Sequence, residues 1–243
     1  MSRTVLITGA GVRIGNAIAD TLARAGWDVI VHAHRSATQA DALCERLRAF
    51  GCRAWRVTGD LFTSEGPDAV FLAAVACAGH VDALVNNASL FVRQPLAAAT
   101  PADFDRFWRI NALAPIRLTQ LLATHVAARR SSGSVVNLLD QRIAQPCTGA
   151  IPYLLSKKTL EAFTLSAALE LAPHVRVNAV APGAVCLPAA PESKEPAGAF
   201  PLHARPTSEQ VANAVRFLLD ADAVTGQILF VDGGQHLLSQ HPS

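Results

Sequence analysis

A chain of 243 residues that is 51% hydrophobic and only 16% charged carries enough apolar side chain for a continuous core, which excludes an intrinsically disordered protein. Its net charge of +2 is too small for a general nucleic-acid or membrane surface, so any basic site must be local. Its five cysteines, Cys44, Cys52, Cys77, Cys147 and Cys186, include no Cys-x-x-Cys pair and no neighbouring histidine cluster. The expectation is reduced thiols in a cytoplasmic protein, with no disulfide and no metal.

The apolar run that opens the chain stops at Gly9, too short for a signal-peptide core or a membrane span. In chain order, strand-length apolar runs lie at residues 4–8, 28–32, 53–57, 82–86, 134–138, 175–180 and 227–231. Between them, helical periodicity covers 14–25, 38–50, 67–78, 101–128, 152–171 and 208–219. Strands this uniformly apolar must be covered on both faces, and a helix in each crossover supplies the cover. The pattern predicts an α/β protein: one doubly wound Rossmann domain over 1–243, with a seven-stranded, mostly parallel sheet. The stretch 188–206, rich in Pro and Ala, reads as a long functional loop, and 239–243 as a polar tail.

The first strand runs into Thr8-Gly9-Ala10-Gly11-Val12-Arg13-Ile14-Gly15, a glycine-rich turn opening the first helix. That junction suits a dinucleotide pyrophosphate, because helix-terminal N–H groups and the helix dipole face it while glycine lets the backbone approach. At the end of the second strand an NAD enzyme commonly carries a carboxylate for the ribose hydroxyls, but here the chain reads His34-Arg35-Ser36. A cation and a hydroxyl suit a 2′-phosphate, so the expected cofactor is NADPH. After the third strand, Asp60-Leu61 fits either an adenine contact or a helix N-cap.

Tyr153 and Lys157 are four residues apart in a predicted helix, hence on one face. A phenol has a pKa near 10, and an adjacent ammonium would lower it and make proton transfer practical at neutral pH.

Several motifs together resemble the short-chain dehydrogenase/reductase family. They are the Thr8–Gly15 turn, Asn86-Asn87-Ala88 after the fourth strand, Asn111 in a helix, Tyr153 with Lys157, Pro182-Gly183 after the sixth strand and Val231-Asp232-Gly233-Gly234 near the end. The resemblance implies that Asn87 and Ala88 support the cofactor, that Asn111 joins a proton relay, that Pro182 and Gly183 hold the nicotinamide, and that Tyr153 is the proton donor. It also implies a homotetramer, with the two long helices supplying apolar faces.

Three departures from the family pattern occur together: Arg13 at the middle glycine of the turn, Ser89-Leu90-Phe91 after Asn-Asn-Ala, and Asp140 where the family has its serine. An ionised carboxylate would repel a ketone oxygen gaining charge, whereas it can accept a hydrogen bond from, or pass a proton to, a ring nitrogen or amino group. These departures resemble the pteridine reductases within the family. That likeness implies a dihydropterin, dihydromonapterin or dihydrofolate as substrate, with Phe91 stacking the ring, Ser89 and Arg13 at its polar edge or the cofactor phosphates, and Asp140 assisting Tyr153. The rival readings are a carbonyl or 3-oxoacyl-thioester reductase of the same family and a non-catalytic NADPH-binding regulator. Neither a nucleic acid nor a membrane is an expected partner.

Overall fold

The computed structural model describes residues 2–185 and 200–238. Cys186, residues 188–199 of the expected loop and the expected tail 239–243 lie outside the described residues. The elements are β1 (Thr4–Ile7), α1 (Arg13–Arg24), β2 (Asp28–Ala33), α2 (Ala37–Arg48), β3 (Ala54–Thr58), α3 (Gly66–Ala78), β4 (Ala83–Asn86), α4 (Pro101–Trp108), α5 (Ala114–Ala128), β5 (Gly133–Leu138), α6 (Ile151–Glu170), β6 (Val175–Pro182), α7 (Ser208–Asp220) and β7 (Ile228–Val231). All strand pairs are parallel, and the sheet order is β3-β2-β1-β4-β5-β6-β7.

Alternation along the strands sorts the core into two layers. Val5, Ile7, Val29 and Val31 pack with Ile18 and Leu22 of α1, Leu43 of α2 and Val215 of α7. Leu6, Ile30 and Leu84 face the other way, onto Val70 and Phe71 of α3 and Leu118 and Leu122 of α5. Leu118 and Leu122 are fully buried, so truncating either to Ala costs about 2–5 kcal/mol. The chain runs outward from β1 in one direction through β2 and β3, then returns to β4 on the other side of β1. This reversal opens a crevice beyond the C-terminal ends of β1 and β4, where doubly wound folds bind their ligands.

One expected element is corrected. Residues 101–128 do not form one helix: a π-helical turn, Arg109–Leu113, separates α4 from α5. Pro115 has no N–H to give to the Asn111 carbonyl four residues earlier, so the regular ladder cannot continue there. The wider turn carries Asn111, which is fully buried.

Among the described residues, Cys44, Cys52, Cys77 and Cys147 are free thiols. No described helix is long and apolar enough to cross a membrane.

Candidate active site

The glycine turn is knitted to the β4 loop from within. Asn87 Nδ2 donates to the carbonyls of Thr8 and Gly9 at 2.8 and 3.0 Å, and Thr8 Oγ1 accepts from the N–H groups of Asn87 and Ala88, each at 2.9 Å. A Cβ at Gly15 would lie 2.5 Å from Asn87 Nδ2 and 2.6 Å from the Gly9 carbonyl oxygen, so only glycine lets α1 pack this closely on the turn. Gly9 lies at φ +63°, with Ala88 Cα 3.0 Å from where its Cβ would stand. Arg13, at the position of the family's middle glycine, has φ +55°, a left-handed conformation unusual for a residue with a side chain. Its exposed guanidinium makes no hydrogen bond or ion pair among the described residues.

Beside this turn lies a cavity of about 510 Å³, a size ordinary for a bound small molecule. Its wall brings together Gly9, His34, Arg35, Ser36, Asp60, Leu61, Ala88 and Ser89 of the expected residues. His32, Gln39, Phe62, Leu90, Arg106 and Ile110 complete it and were not expected. Gly11, Arg13, Ile14, Gly15, Asn87, Tyr153, Lys157, Pro182 and Gly183 are not on that wall. Ile14 packs against the core, and a Cβ on Gly183 would meet Asp232 at 2.7 Å. Asp60 accepts from the Phe62 N–H at 3.0 Å and stands 3.6 Å from His34 Nδ1. His32, buried beneath the turn, accepts from the Gly9 N–H at 3.2 Å, and its Nε2 lies 3.1 Å from the Gly59 carbonyl oxygen. Burial lowers its pKa to about 4, so the ring is neutral and Nε2 carries the hydrogen.

A dinucleotide phosphate suits these residues. The α1 N-cap, Val12, makes no side-chain capping bond, and the helix has no acidic residue in its first turn. Its first N–H groups therefore have no local carboxylate competing for them. Arg35 and Ser36 line the same cavity and have no acidic neighbour in sequence.

The cluster around Tyr153, the expected catalytic group, adjoins this cavity through Ser89. Tyr153 Oη donates to Asp140 Oδ2 at 2.8 Å. The same Oδ2 accepts from Arg142 Nη1 at 2.9 Å, and Asp140 Oδ1 accepts from the Arg142 N–H at 2.9 Å, capping a 3₁₀ turn over Gln141–Ala144. Asp140 thus both caps its loop and meets the phenol. Phe91 is 43% exposed, which removes it from the core, and its ring stands edge-on to Tyr153 at 4.8 Å.

The electrostatics around Tyr153 involve more than Lys157. Its ammonium donates to the Leu138 carbonyl at 2.7 Å and lies 5.9 Å from the Tyr153 ring centroid. Burial lowers its own pKa to about 8, with Asp140 opposing. Burial first, then the charge and hydrogen bond of Asp140, push the Tyr153 phenol well above its ordinary value. Arg142 and Ser89 work against that rise. Burial and Asp140 thus hold Tyr153 as a neutral phenol, while the Lys157 ammonium is engaged by the Leu138 carbonyl.

Asn111 turns its side chain to the Ser89–Leu90 loop. Its Oδ1 accepts from Leu90 N–H at 2.8 Å and from Ser89 Oγ at 3.2 Å, and its Nδ2 donates to Leu90 O and to Ser156 Oγ, each at 3.0 Å.

The family model described as short chain dehydrogenase matches residues 3–197. A pteridine reductase 1 of Leishmania tarentolae is 35% identical over 277 residues, covering 96% of each chain. A putative ketoacyl reductase 2 of the granaticin polyketide synthase of Streptomyces violaceoruber is 36% identical over 245 residues, again covering 96% of each. The crystal structure of FolM alternative dihydrofolate reductase 1 from Brucella canis complexed with NADP superposes with a TM-score of 0.91 at 33% identity, covering 99% of this chain and 96% of that one.

Proposed function

Because this chain belongs to the short chain dehydrogenase family of oxidoreductases, we propose that it is an NADPH-dependent reductase of a pterin ring: a dihydropterin, dihydromonapterin or dihydrofolate. The observation that carries the substrate class is the Asp140 carboxylate within 2.8 Å of the Tyr153 hydroxyl. A fixed negative charge there disfavours a carbonyl oxygen that gains charge, and it suits ring N–H and amino groups that donate to it. Exposed Phe91 offers a flat apolar surface beside the phenol. Relatives named pteridine reductase 1 and alternative dihydrofolate reductase 1 support the reading.

NADPH, when bound, supplies the hydride. Gly9, Gly11, Gly15 and the α1 N-terminus would hold its pyrophosphate, with Arg13 beside it. Arg35, Ser36 and His34 would hold the 2′-phosphate, Asp60 and Leu61 the adenine side, and Asn87, Ala88, Ser89, Lys157, Pro182 and Gly183 the nicotinamide half. The proton to a ring nitrogen comes from Tyr153. Loss of that proton beside the Asp140 charge is unfavourable, so it leaves only as the substrate ring nitrogen takes it up. Asn111 keeps Ser89 and Leu90 in place. The reading also includes a single domain and a homotetramer.

The test is steady-state turnover on a panel of dihydropterins, dihydrofolate and acetoacetyl thioesters with each nicotinamide cofactor. NADPH oxidation with a dihydropterin or dihydrofolate is expected. Strong turnover of the thioesters with none of the pterins would overturn it in favour of a carbonyl reductase, a reading supported by the similarity to a ketoacyl reductase.

A further inference from the structure

Arg142 stands at the meeting point of three groups that the proposed chemistry uses, and neither the family motifs nor the spacing of the chain points to it. Its backbone N–H and its Nη1 grip the two oxygens of Asp140 separately, each at 2.9 Å. Its Cζ lies 5.2 Å from the centroid of the Phe91 ring, within reach of a cation–π contact. Phe91 in turn stands edge-on to Tyr153. Asp140 is largely buried, its side chain 14% exposed, and Arg142 is 28% exposed. At that depth an ion pair is screened less than at an open surface.

A carboxylate gripped at both oxygens has one orientation. Oδ1 is committed to the cap, so Oδ2 is left to face the phenol. Without the guanidinium, Oδ2 would keep only the Tyr153 hydroxyl, and a largely buried carboxylate with one fewer cationic partner takes up a proton more readily. We propose that Arg142 is a positioning residue of the acid–base pair: its two-point hold on Asp140 fixes Oδ2 against Tyr153 and keeps that carboxylate charged, while its guanidinium face steadies the Phe91 ring. The inference deepens the proposed function, since it rests on Asp140 being the partner of Tyr153 in proton transfer.

The charged and titratable groups that bear on Asp140 are Arg142 on its own loop, Cys147 on the following loop, and Tyr153 and Lys157 on α6. Of these, Arg142 is the one that hydrogen-bonds both oxygens of Asp140.

Tyr153 is the chain's single tyrosine, so protein grown with ring-labelled [13C]tyrosine gives one tyrosine signal, which senses the charge on Asp140 without any substrate. In Arg142→Met the acid-side inflection of that signal moves to higher pH, because the carboxylate has lost its cationic partner. Arg142→Lys, which keeps the charge and the backbone N–H but not the planar guanidinium, moves it less, and serves alone if the Met variant fails to fold. In Asp140→Asn the inflection is absent. With any substrate that the native enzyme turns over, the acid limb of kcat/KM moves with the signal, and in the Asp140→Asn background Arg142→Met has little further effect on kcat/KM. An inflection unmoved in the Arg142 variants, or losses in kcat/KM that simply multiply, would overturn the proposal. Failure of the pterin reading would show separately, in the substrate panel.

Discussion

The Tyr153 hydroxyl and the Asp140 carboxylate share a 2.8 Å hydrogen bond, and with burial it is this carboxylate that sets the phenol's acidity. Tyrosinate absorbance in the near ultraviolet reads Tyr153 alone, because the chain has no other tyrosine. The native protein is expected to ionise well above the ordinary phenol value, and Asp140→Asn, which removes the charge but keeps a polar side chain of the same shape, to ionise at lower pH. Equal titration curves for the two proteins would show that Asp140 does not act on the phenol.

His32 makes stability depend on pH. Its ordinary pKa is 6.5 and burial lowers it to about 4 in the folded protein. Above 6.5 neither state binds the proton and the contribution is complete; as pH falls towards 4 the unfolded chain takes up a proton that the folded one refuses, so stability is lost across that window. The full difference is about 3 kcal/mol. Urea midpoints measured between pH 7 and pH 4 should fall more steeply for the native protein than for His32→Gln. His125, also held down by burial, adds in the same direction in both proteins, so the difference between them isolates His32.

Much of the fold was legible because its strands are almost wholly apolar: Val5, Leu6, Ile7, Val29, Ile30 and Val31 are buried on both faces of the sheet, and local composition shows it. The π turn was missed because Ile110, Ala112 and Leu113 continue the helical apolar period; Pro115 was the available signal, through the hydrogen bond it cannot make. At the site, the glycine turn, Arg35, Ser36, Asp140 and Tyr153 could be found from residue type and order. The charge balance could not. Spacing puts Lys157 one turn from Tyr153, but it does not show that the Leu138 carbonyl takes the ammonium or that Arg142 folds back onto Asp140. Arg106 on α4 and Phe62 on the turn after β3 reach the cavity only through the packing of segments distant in sequence.

Arg13 holds a left-handed conformation at φ +55°, which costs an L-residue about 1–2 kcal/mol more than it costs glycine. Its exposed guanidinium has no described partner to offset that strain, so Arg13→Gly should raise stability by up to about 1 kcal/mol once glycine's greater freedom in the unfolded chain is counted. If the side chain is retained to contact cofactor or substrate, the same variant loses affinity for one of them. Thermal melting and KM for both ligands check the two halves. A variant more stable and unchanged in both KM values would leave the arginine without a role at the site.

Cofactor choice is expected to turn on Arg35. It lines the cavity beside Ser36 and Gln39, it follows a strand that ends without a carboxylate, and its exposed side chain has no described partner. A charge-assisted hydrogen bond to a phosphate contributes about 1.5–3 kcal/mol, which sets the scale of its loss at about 10- to 100-fold in KM for NADPH. Arg35→Glu should reach the upper end of that range, because it also places a like charge against the 2′-phosphate. NADH carries a hydroxyl there, which a carboxylate accepts from, so its KM should stay level or fall. The ratio of kcat/KM for the two cofactors, measured in one buffer at fixed ionic strength, isolates this effect from any general damage to the fold, which would lower both. A ratio that still favours NADPH as in the native protein would assign the 2′-phosphate to His34 and Ser36 instead of Arg35.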